Sequence, residues 1–470
     1  MPARHQRLRG GDGALADALA AIRAELELPT AFPPDAEAEA ERLAAAPPLP
    51  EADATDVPFV TIDPPGSTDL DQAIHLERDG DAIVVRYAIA DVPAFVEPGG
   101  AIDAEARRRG QTLYAPDERI PLHPVSLSEG AASLLPEQER AALVWTFRLD
   151  AAGEPSGTTL RRMRVRSREQ LTYAEAQRRI DAGDAMLGLL RELGEARIAL
   201  EEARDGASLD MPEEEVVHED GRWQLRRRAL LPVERWNAQI SLLTGMEAAR
   251  LMLDAGVGIL RTMPAPPDGD VRRFRREVEA IGERWEEGEH YGAFLRRLDR
   301  EAPTTLAILQ AARRLFRGAG YTVVTGATRP DDVEQGAIGA PYAHVTAPLR
   351  RLVDRYGLAI CEAVADGREA PAWAVEGLEG LPEIMQSSSA LAGRLERESV
   401  DAVEIAVLED RVGEDFDAVV VERRDSGATI QLLDPPAEAG CDTDAEPGER
   451  IRARLVEADL ASRRLRFAQA

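Results

Sequence analysis

Lysine is absent from this chain; all 57 of its basic residues are arginine. Arginine's planar fork suits bidentate phosphate recognition, although a biased composition alone also produces such a count. Cysteine is scarce. Cys361 and Cys441 are the whole supply, which excludes a disulfide framework and a cysteine-built zinc site. No apolar run reaches 18 residues, so no transmembrane helix is indicated. The first residues lead into an Ala/Asp/Glu-rich pattern without an apolar signal core, and the expected location is the cytoplasm. Aromatics make up only 4%. The net charge of −28 excludes a broad electropositive surface that coats nucleic acid. It leaves room for a basic channel inside an acidic exterior.

What is present is a large apolar fraction, 44% of 470 residues, enough for more than one domain. Residues 1–50 carry one or two Ala/Glu-rich helices that end in the linker-like run Ala46-Pro-Pro-Leu-Pro50. From residue 57 the pattern turns to strands: 57–62, then 73–77 and 83–90 as a hairpin about Asp79-Gly-Asp81, then further strands over 142–170. Thr172 is placed to cap a helix reaching Asp181. Helical periodicity follows at 184–205, 232–255, 271–286, 303–318 and 349–365. Short strands return at 417–422, 428–433, 450–456 and 464–467, with turns at 425–427 and 446–448, a rhythm suited to a small OB-type barrel. The arginine clusters at 161–166, 226–228, 272–276 and 463–466 read as solvated faces. No internal repeat is visible.

One short run carries chemistry: Thr61-Ile-Asp-Pro-Pro-Gly-Ser-Thr-Asp-Leu-Asp-Gln-Ala73. Asp63 leaves a strand, while Asp69 and Asp71 enter the next and share a face if extended. A Pro-Pro-Gly turn can fold Asp63 back to meet them. Clustered carboxylates on a tight loop hold Mg²⁺ against phosphates, and a phosphodiester is hydrolysed where metal activates water and relieves charge on the leaving oxygen. Spacing alone also admits ordinary surface acids, because this chain is rich in Asp and Glu.

The run resembles the signature of the ribonuclease II family, Thr-Ile-Asp, a loop, then Asp-Leu-Asp-Asp-Ala. Further blocks follow in order: Ile89-Ala-Asp-Val92, Phe95-Val-Glu-Pro-Gly99, Asp103 to Gly110, Thr112-Leu-Tyr-Ala-Pro-Asp117 with Arg119-Ile-Pro-Leu122, Leu171-Thr-Tyr173, Val233-Glu234, and Tyr342-Ala-His-Val-Thr-Ala-Pro-Leu-Arg-Arg351. The resemblance covers about residues 55–355. It implies an α+β fold, with a helical N-terminal extension and linker at 1–50, an RNB-type catalytic domain at 51–395 and an OB-like barrel at 396–470. The implied activity is 3′-to-5′ exoribonuclease action on single-stranded RNA with Mg²⁺ or Mn²⁺, in a monomer that serves RNA degradation. Asp63, Asp69, Asp71 and Gln72 would be the metal set, with Asp71 nearest the cleavage chemistry. Arg350 would hold the scissile phosphate, and Tyr114 would stack on a terminal base. His344 would touch RNA or hydrogen-bond in the core, and Arg351 would be structural or contact the RNA backbone.

Four departures stand out. Gln72 replaces the family's final Asp, which weakens a metal site by one charge. Leu352 and Leu358 replace Tyr and His of the last motif, and Ser241 replaces Asn on the long helix. The roughly 55 residues ahead of the catalytic region are too few for the family's two cold-shock modules, each about 70 residues. These departures motivate the alternative of a degenerate relative that binds RNA or a protein partner without cleaving.

Overall fold

Alternating apolar residues between 59 and 172 close into a five-stranded barrel in the computed structural model. The strands are Phe59–Asp63, Gln72–Asp79, Ala82–Ala90, Glu139–Leu149 and Pro155–Thr172, and the first pairs in parallel with the last. The structure describes residues 6–9, 13–219, 222–300, 302, 304–326, 330–331, 333–424, 426–435 and 437–470. Trp145 stacks on Phe147 at 5.9 Å in the core that the barrel shares with the helices around it, with Val85 and Ile89 buried in the same core. The expected hairpin is present, and Gly80 takes its turn at φ 60°, a conformation that costs glycine little. Thr172 and Glu175 cap the next helix, Tyr173–Asp181, reciprocally.

Helices cover the barrel. Pro232–Ala255 and Leu352–Ala365 pack together against it, and between them lies the paired strand unit Val257–Thr262 and Gly320–Thr325. Gly245 sits where the Tyr342–Ala343 backbone meets the long helix. A Cβ there would lie 2.1 Å from the Tyr342 ring, so only glycine admits this approach. The periodicity at 303–318 forms a shorter helix, Thr305–Ala312, and tightens into a 3₁₀ turn through Phe316. A hairpin, Glu213–Glu219 with Arg222–Arg228, joins in parallel to Gln6–Arg9. Its charged sequence gave no strand signal.

The N-terminal extension is docked. Helices Ala14–Glu25 and Pro34–Ala45 both pack on the body. Glu39 accepts from the backbone N–H groups of Ala101 and Ile102, where a carboxylate meets the positive end of a helix. Leu15, Leu19 and Ile22 share one core with Leu113 and Ile120, with Leu395 and Val403 of the long helix Leu381–Leu408, and with Leu460. Arg463 pairs with Glu25 across this junction.

Leu381–Leu408 runs unbroken past residue 395, and the C-terminal barrel begins at Asp415. That barrel has five strands, one more than its sequence rhythm predicts. The extra strand is Glu438–Asp442, whose Ala and Gly have low β-propensity. Asp425 of the anticipated turn, and residues 1–5, lie outside the described residues. Phe416 and Phe467 meet edge to face inside this barrel and are 3% and 1% exposed, so neither offers a stacking platform. Among the described residues no helix is long and apolar enough to cross a membrane.

Candidate active site

The acidic run is a strand–loop–strand corner of the first barrel. Asp63 ends one strand and Gln72 starts the next. Gly66, at φ 78°, turns the loop between them. The loop is fastened at several points. The backbone N–H of Leu70 donates to Ser133 Oγ at 2.9 Å, Ser133 Oγ donates to the Thr68 carbonyl at 2.7 Å, and Gln170 donates to the Ser67 carbonyl at 2.8 Å. Leu70 is fully buried and fixes which way its acidic neighbours face.

The second half of the site arrives from far along the chain. The backbone N–H of Leu349 donates to Asp71 Oδ1 at 2.8 Å, and Arg350 Nε lies 3.7 Å from Asp71 Oδ2. Thr112 N donates to the Arg350 carbonyl and Leu352 N to that of Gly110. This brings the two-stranded unit of Leu113–Tyr114 and Arg119–Ile120 alongside Arg350. Tyr114 is 39% exposed there. Arg119 reaches back to Asp69, Thr68 and Glu129. Asp63, Asp69, Asp71, Arg350 and Tyr114 therefore share one neighbourhood. Arg119 and Glu129 belong to it as well, although neither was singled out in the sequence.

Gln72 is turned into the protein. Its Nε2 donates to the Thr346 carbonyl, and its Oε1 accepts the Tyr87 hydroxyl at 2.9 Å; that hydroxyl in turn meets Ser241 Oγ at 2.7 Å. A carbonyl can only accept, which fixes the amide's orientation. In this arrangement the Gln72 carbonyl, expected to face a metal, accepts from Tyr87. The side chain ties the acidic strand to the Tyr342–Arg351 loop, because Tyr87 fills the oxygen's side. Arg351 gives a two-pronged contact to buried Asp354, 2.9 Å on each side, which accounts for most of its fork. His344 Nδ1 meets the Tyr321 hydroxyl at 2.8 Å, and its ring stands edge-on to Tyr342. Burial, with Arg351 and Arg261 nearby, lowers its proton affinity, so the ring is neutral.

Burial raises the Asp71 carboxyl, against the opposing pull of Arg350 and the Leu349 N–H. Asp63 is pushed up to about 6, mainly by burial and further by Asp69. A folded pKa above the unfolded value means that folded protein holds its proton more tightly. Metal-free stability therefore falls as pH rises from about 4 to about 6, and the ionised form costs up to about 3 kcal/mol above that range. Asp63→Asn is expected to raise the metal-free melting temperature by several degrees at pH 8 and to leave it unchanged at pH 4. A melting temperature unaltered at pH 8 would mean that no buried charge sits there.

Among the described residues no three His, Cys, Asp or Glu side chains converge closely enough to cage a metal. The donors do fit a hard cation held by one or two carboxylates and water. Asp63 Oδ2 is buried without a hydrogen-bond partner, and Asp71 Oδ2 faces Arg350 beyond hydrogen-bond length.

The RNB domain model matches residues 51–365, and the model of the RNase II-type exonuclease C-terminal S1 domain matches 414–470. The chain belongs to the ribonuclease II (RNB) family. Among curated relatives, the probable exosome complex exonuclease RRP44 of Caenorhabditis elegans is 31% identical over 328 residues, 65% of this chain and 34% of that protein. Among solved structures, the apo form of Mycoplasma genitalium RNase R superposes with a TM-score of 0.85 at 19% identity, over 98% of this chain and 78% of that one. Yeast Ssd1, described as a pseudonuclease, gives 0.65 at 18% identity over 89% and 53%. The chain spans about a third to a half of the length of the curated relatives it matches. Within the RNB framework, the C-terminal barrel is the S1 module, and the docked helices Ala14–Glu25 and Pro34–Ala45 precede the RNB match.

Proposed function

We propose that this RNB protein is a metal-dependent exoribonuclease that hydrolyses single-stranded RNA from its 3′ end. One observation carries the reading. Across 278 residues of sequence, the Leu349 backbone N–H is hydrogen-bonded to Asp71, so the neighbouring Arg350 guanidinium stands near a carboxylate pair, Asp63 and Asp71. The Mycoplasma genitalium enzyme has also been solved with ribose-methylated single-stranded RNA, and its likeness in fold agrees with a substrate of that kind.

Each residue has a definable part. Arg350, 44% exposed at its side chain, grips the scissile phosphate and meets the charge that grows on its oxygens. Tyr114 stacks on the terminal base without reading its identity, and the Tyr321–His344–Tyr342 group forms a neutral aromatic wall nearby. Asp71 Oδ2, raised in proton affinity, takes a proton from the attacking water. Asp63 and Asp71 would hold a divalent ion, magnesium in the first instance, which supplies Lewis-acid stabilisation of the leaving oxygen. Arg119 holds Asp69 in place beside them.

Incubation of the protein with 5′-labelled single-stranded RNA and Mg²⁺ or Mn²⁺ tests this reading: stepwise shortening is expected, and intact RNA under every metal and salt condition refutes it. Magnesium is also expected to raise the melting temperature of the native chain at pH 8 but not that of Asp63→Asn. An equal rise in both removes Asp63 from the metal set.

The second reading, a relative that binds without cutting, is favoured by Gln72. Its amide serves the Thr346 loop rather than a metal. Gln72→Asp discriminates. Aspartate is one methylene shorter and has no N–H for the Thr346 carbonyl, so the loop loosens. We expect kcat to fall about 10- to 100-fold, as small misplacements do, with no change in the magnesium needed for half-maximal rate. A lowered magnesium requirement would instead restore position 72 as a ligand.

A further inference from the structure

Away from the acidic corner, two arginines line a cavity that the chemistry above does not use. The cavity has a volume of about 240 Å³ and lies between the start of helix Pro232–Ala255 and helix Thr305–Ala312. Its polar wall is Arg235, Arg300 and Asp210; its apolar wall includes Leu230, Leu306 and Leu309. Arg235 Nη2 meets Asp210 Oδ2 at 2.9 Å, and Arg300 Nη2 lies 3.8 Å from the same oxygen. Ser208 donates to the other oxygen of Asp210 at 2.8 Å, so one carboxylate is shared between two guanidinium groups.

That sharing leaves donors over. Arg235 Nε, Arg300 Nε and Arg300 Nη1 are all buried without a hydrogen-bond partner among the described residues. Buried N–H groups nearly always have partners, and exceptions mark an unfilled role. Burial lowers the proton affinity of Arg300, Asp210 opposes this, and Arg235 adds to it. Asp210 itself is held at φ 41°, a left-handed backbone that a non-glycine residue adopts at some cost, and one that clusters at ligand sites.

We propose that this cavity binds a small phosphate monoester, with its phosphate on the Arg235 and Arg300 forks and its organic part against the leucine wall. Among the described residues that line the cavity, two guanidinium groups face one carboxylate, and forked N–H donors match phosphate oxygens. The enclosed shape and apolar wall suit a free small molecule better than a stretch of polynucleotide backbone. The site is separate from the acidic corner. On the shared helix, Arg235 and Ser241 are six residues apart, about 9 Å along the axis and about 120° around it. The same helix thus joins this pocket to the Ser241–Tyr87–Gln72 chain, and occupancy has a rigid route to the corner.

The test is direct binding, which does not depend on RNA cleavage. The intact protein carrying Arg350→Ala, which removes the corner's exposed guanidinium, is titrated calorimetrically with inorganic phosphate and with AMP. Saturable AMP binding is expected with a dissociation constant below about 1 mM, and inorganic phosphate about tenfold weaker for want of the leucine contact. Arg235→Gln and Arg300→Gln should each weaken AMP at least about tenfold. Arg300 is the more buried of the two, and if its variant melts early, Arg235→Gln, whose side chain is 38% exposed, carries the test alone. Absence of saturable binding to either probe up to about 10 mM, or AMP affinity unchanged by Arg235→Gln, overturns the proposal. Loss of affinity for a short RNA in Arg235→Gln, without any AMP binding, overturns it too and assigns the arginines to polynucleotide.

Discussion

Arg350→Ala is expected to lower kcat for RNA hydrolysis by about 10²–10³-fold, the usual loss when one preorganised donor to transition-state charge is removed. The melting temperature should stay close to that of the native chain. Arg350 is nearly half exposed, its ion pair with Asp71 is long at 3.7 Å, and exposed positions of that kind carry little stability. KM should move far less than kcat, because the interaction grows as charge develops on the phosphate. A second readout separates this role from a merely structural one. Arg350 is the main group holding Asp71 down against burial. Without it the Asp71 carboxyl rises further, and the acid limb of the residual pH–rate profile should shift to higher pH. Single-turnover rates on labelled RNA across pH 6–9 would show this. A variant of full activity, or one whose limb does not move, would take Arg350 out of the site.

Asp71→Asn should be still more damaging, about 10³-fold or more in rate, because it removes both the proton acceptor and half of the proposed metal carboxylate pair. The substitution is conservative in shape. Asn keeps an oxygen for the Leu349 N–H at 2.8 Å, so the loop should hold its position and RNA affinity should survive. Stability should not fall at neutral pH, since a buried carboxylate that resists ionisation becomes neutral. The expected combination is therefore normal folding, retained RNA binding and lost turnover. Wild-type turnover in this variant would mean that the chemistry lies elsewhere. Equal and negligible turnover in both proteins would favour the binding-only reading.

Much of this fold could be read from the residues. Alternation marks most of the first-barrel strands, Thr172 marks the helix cap it forms, and the resemblance carried by the ordered motif blocks puts Asp71 and Arg350 in one site. The contacts that complete the site were not legible, for a physical reason. Gln72 is read by a backbone carbonyl 274 residues away, and no side-chain identity at Thr346 advertises a carbonyl. Ser241 looked like a lost polar group, yet it continues the Tyr87 hydrogen-bond chain. Arg119 lies inside one of the motif blocks, but its reach to Asp69 depends on how a two-residue strand is laid against the loop. The strand Glu438–Asp442 was missed because barrel closure, which pairs it with Ala428–Leu432 and Arg464–Gln469, overrides its weak propensity.

The docked first helix has a consequence for how the molecule is made. Glu25 and its partner Arg463 are separated by 438 residues, and the core of Leu15, Leu19 and Ile22 is completed by Leu395, Val403 and Leu460. At about 5–20 residues per second, a ribosome needs roughly 20–90 s to deliver the second set after the first. Through that interval an apolar helix face waits in solvent while the barrel behind it assembles. The burial of this helix is thus completed late, and it is a segment on which chaperones would be expected to act during synthesis.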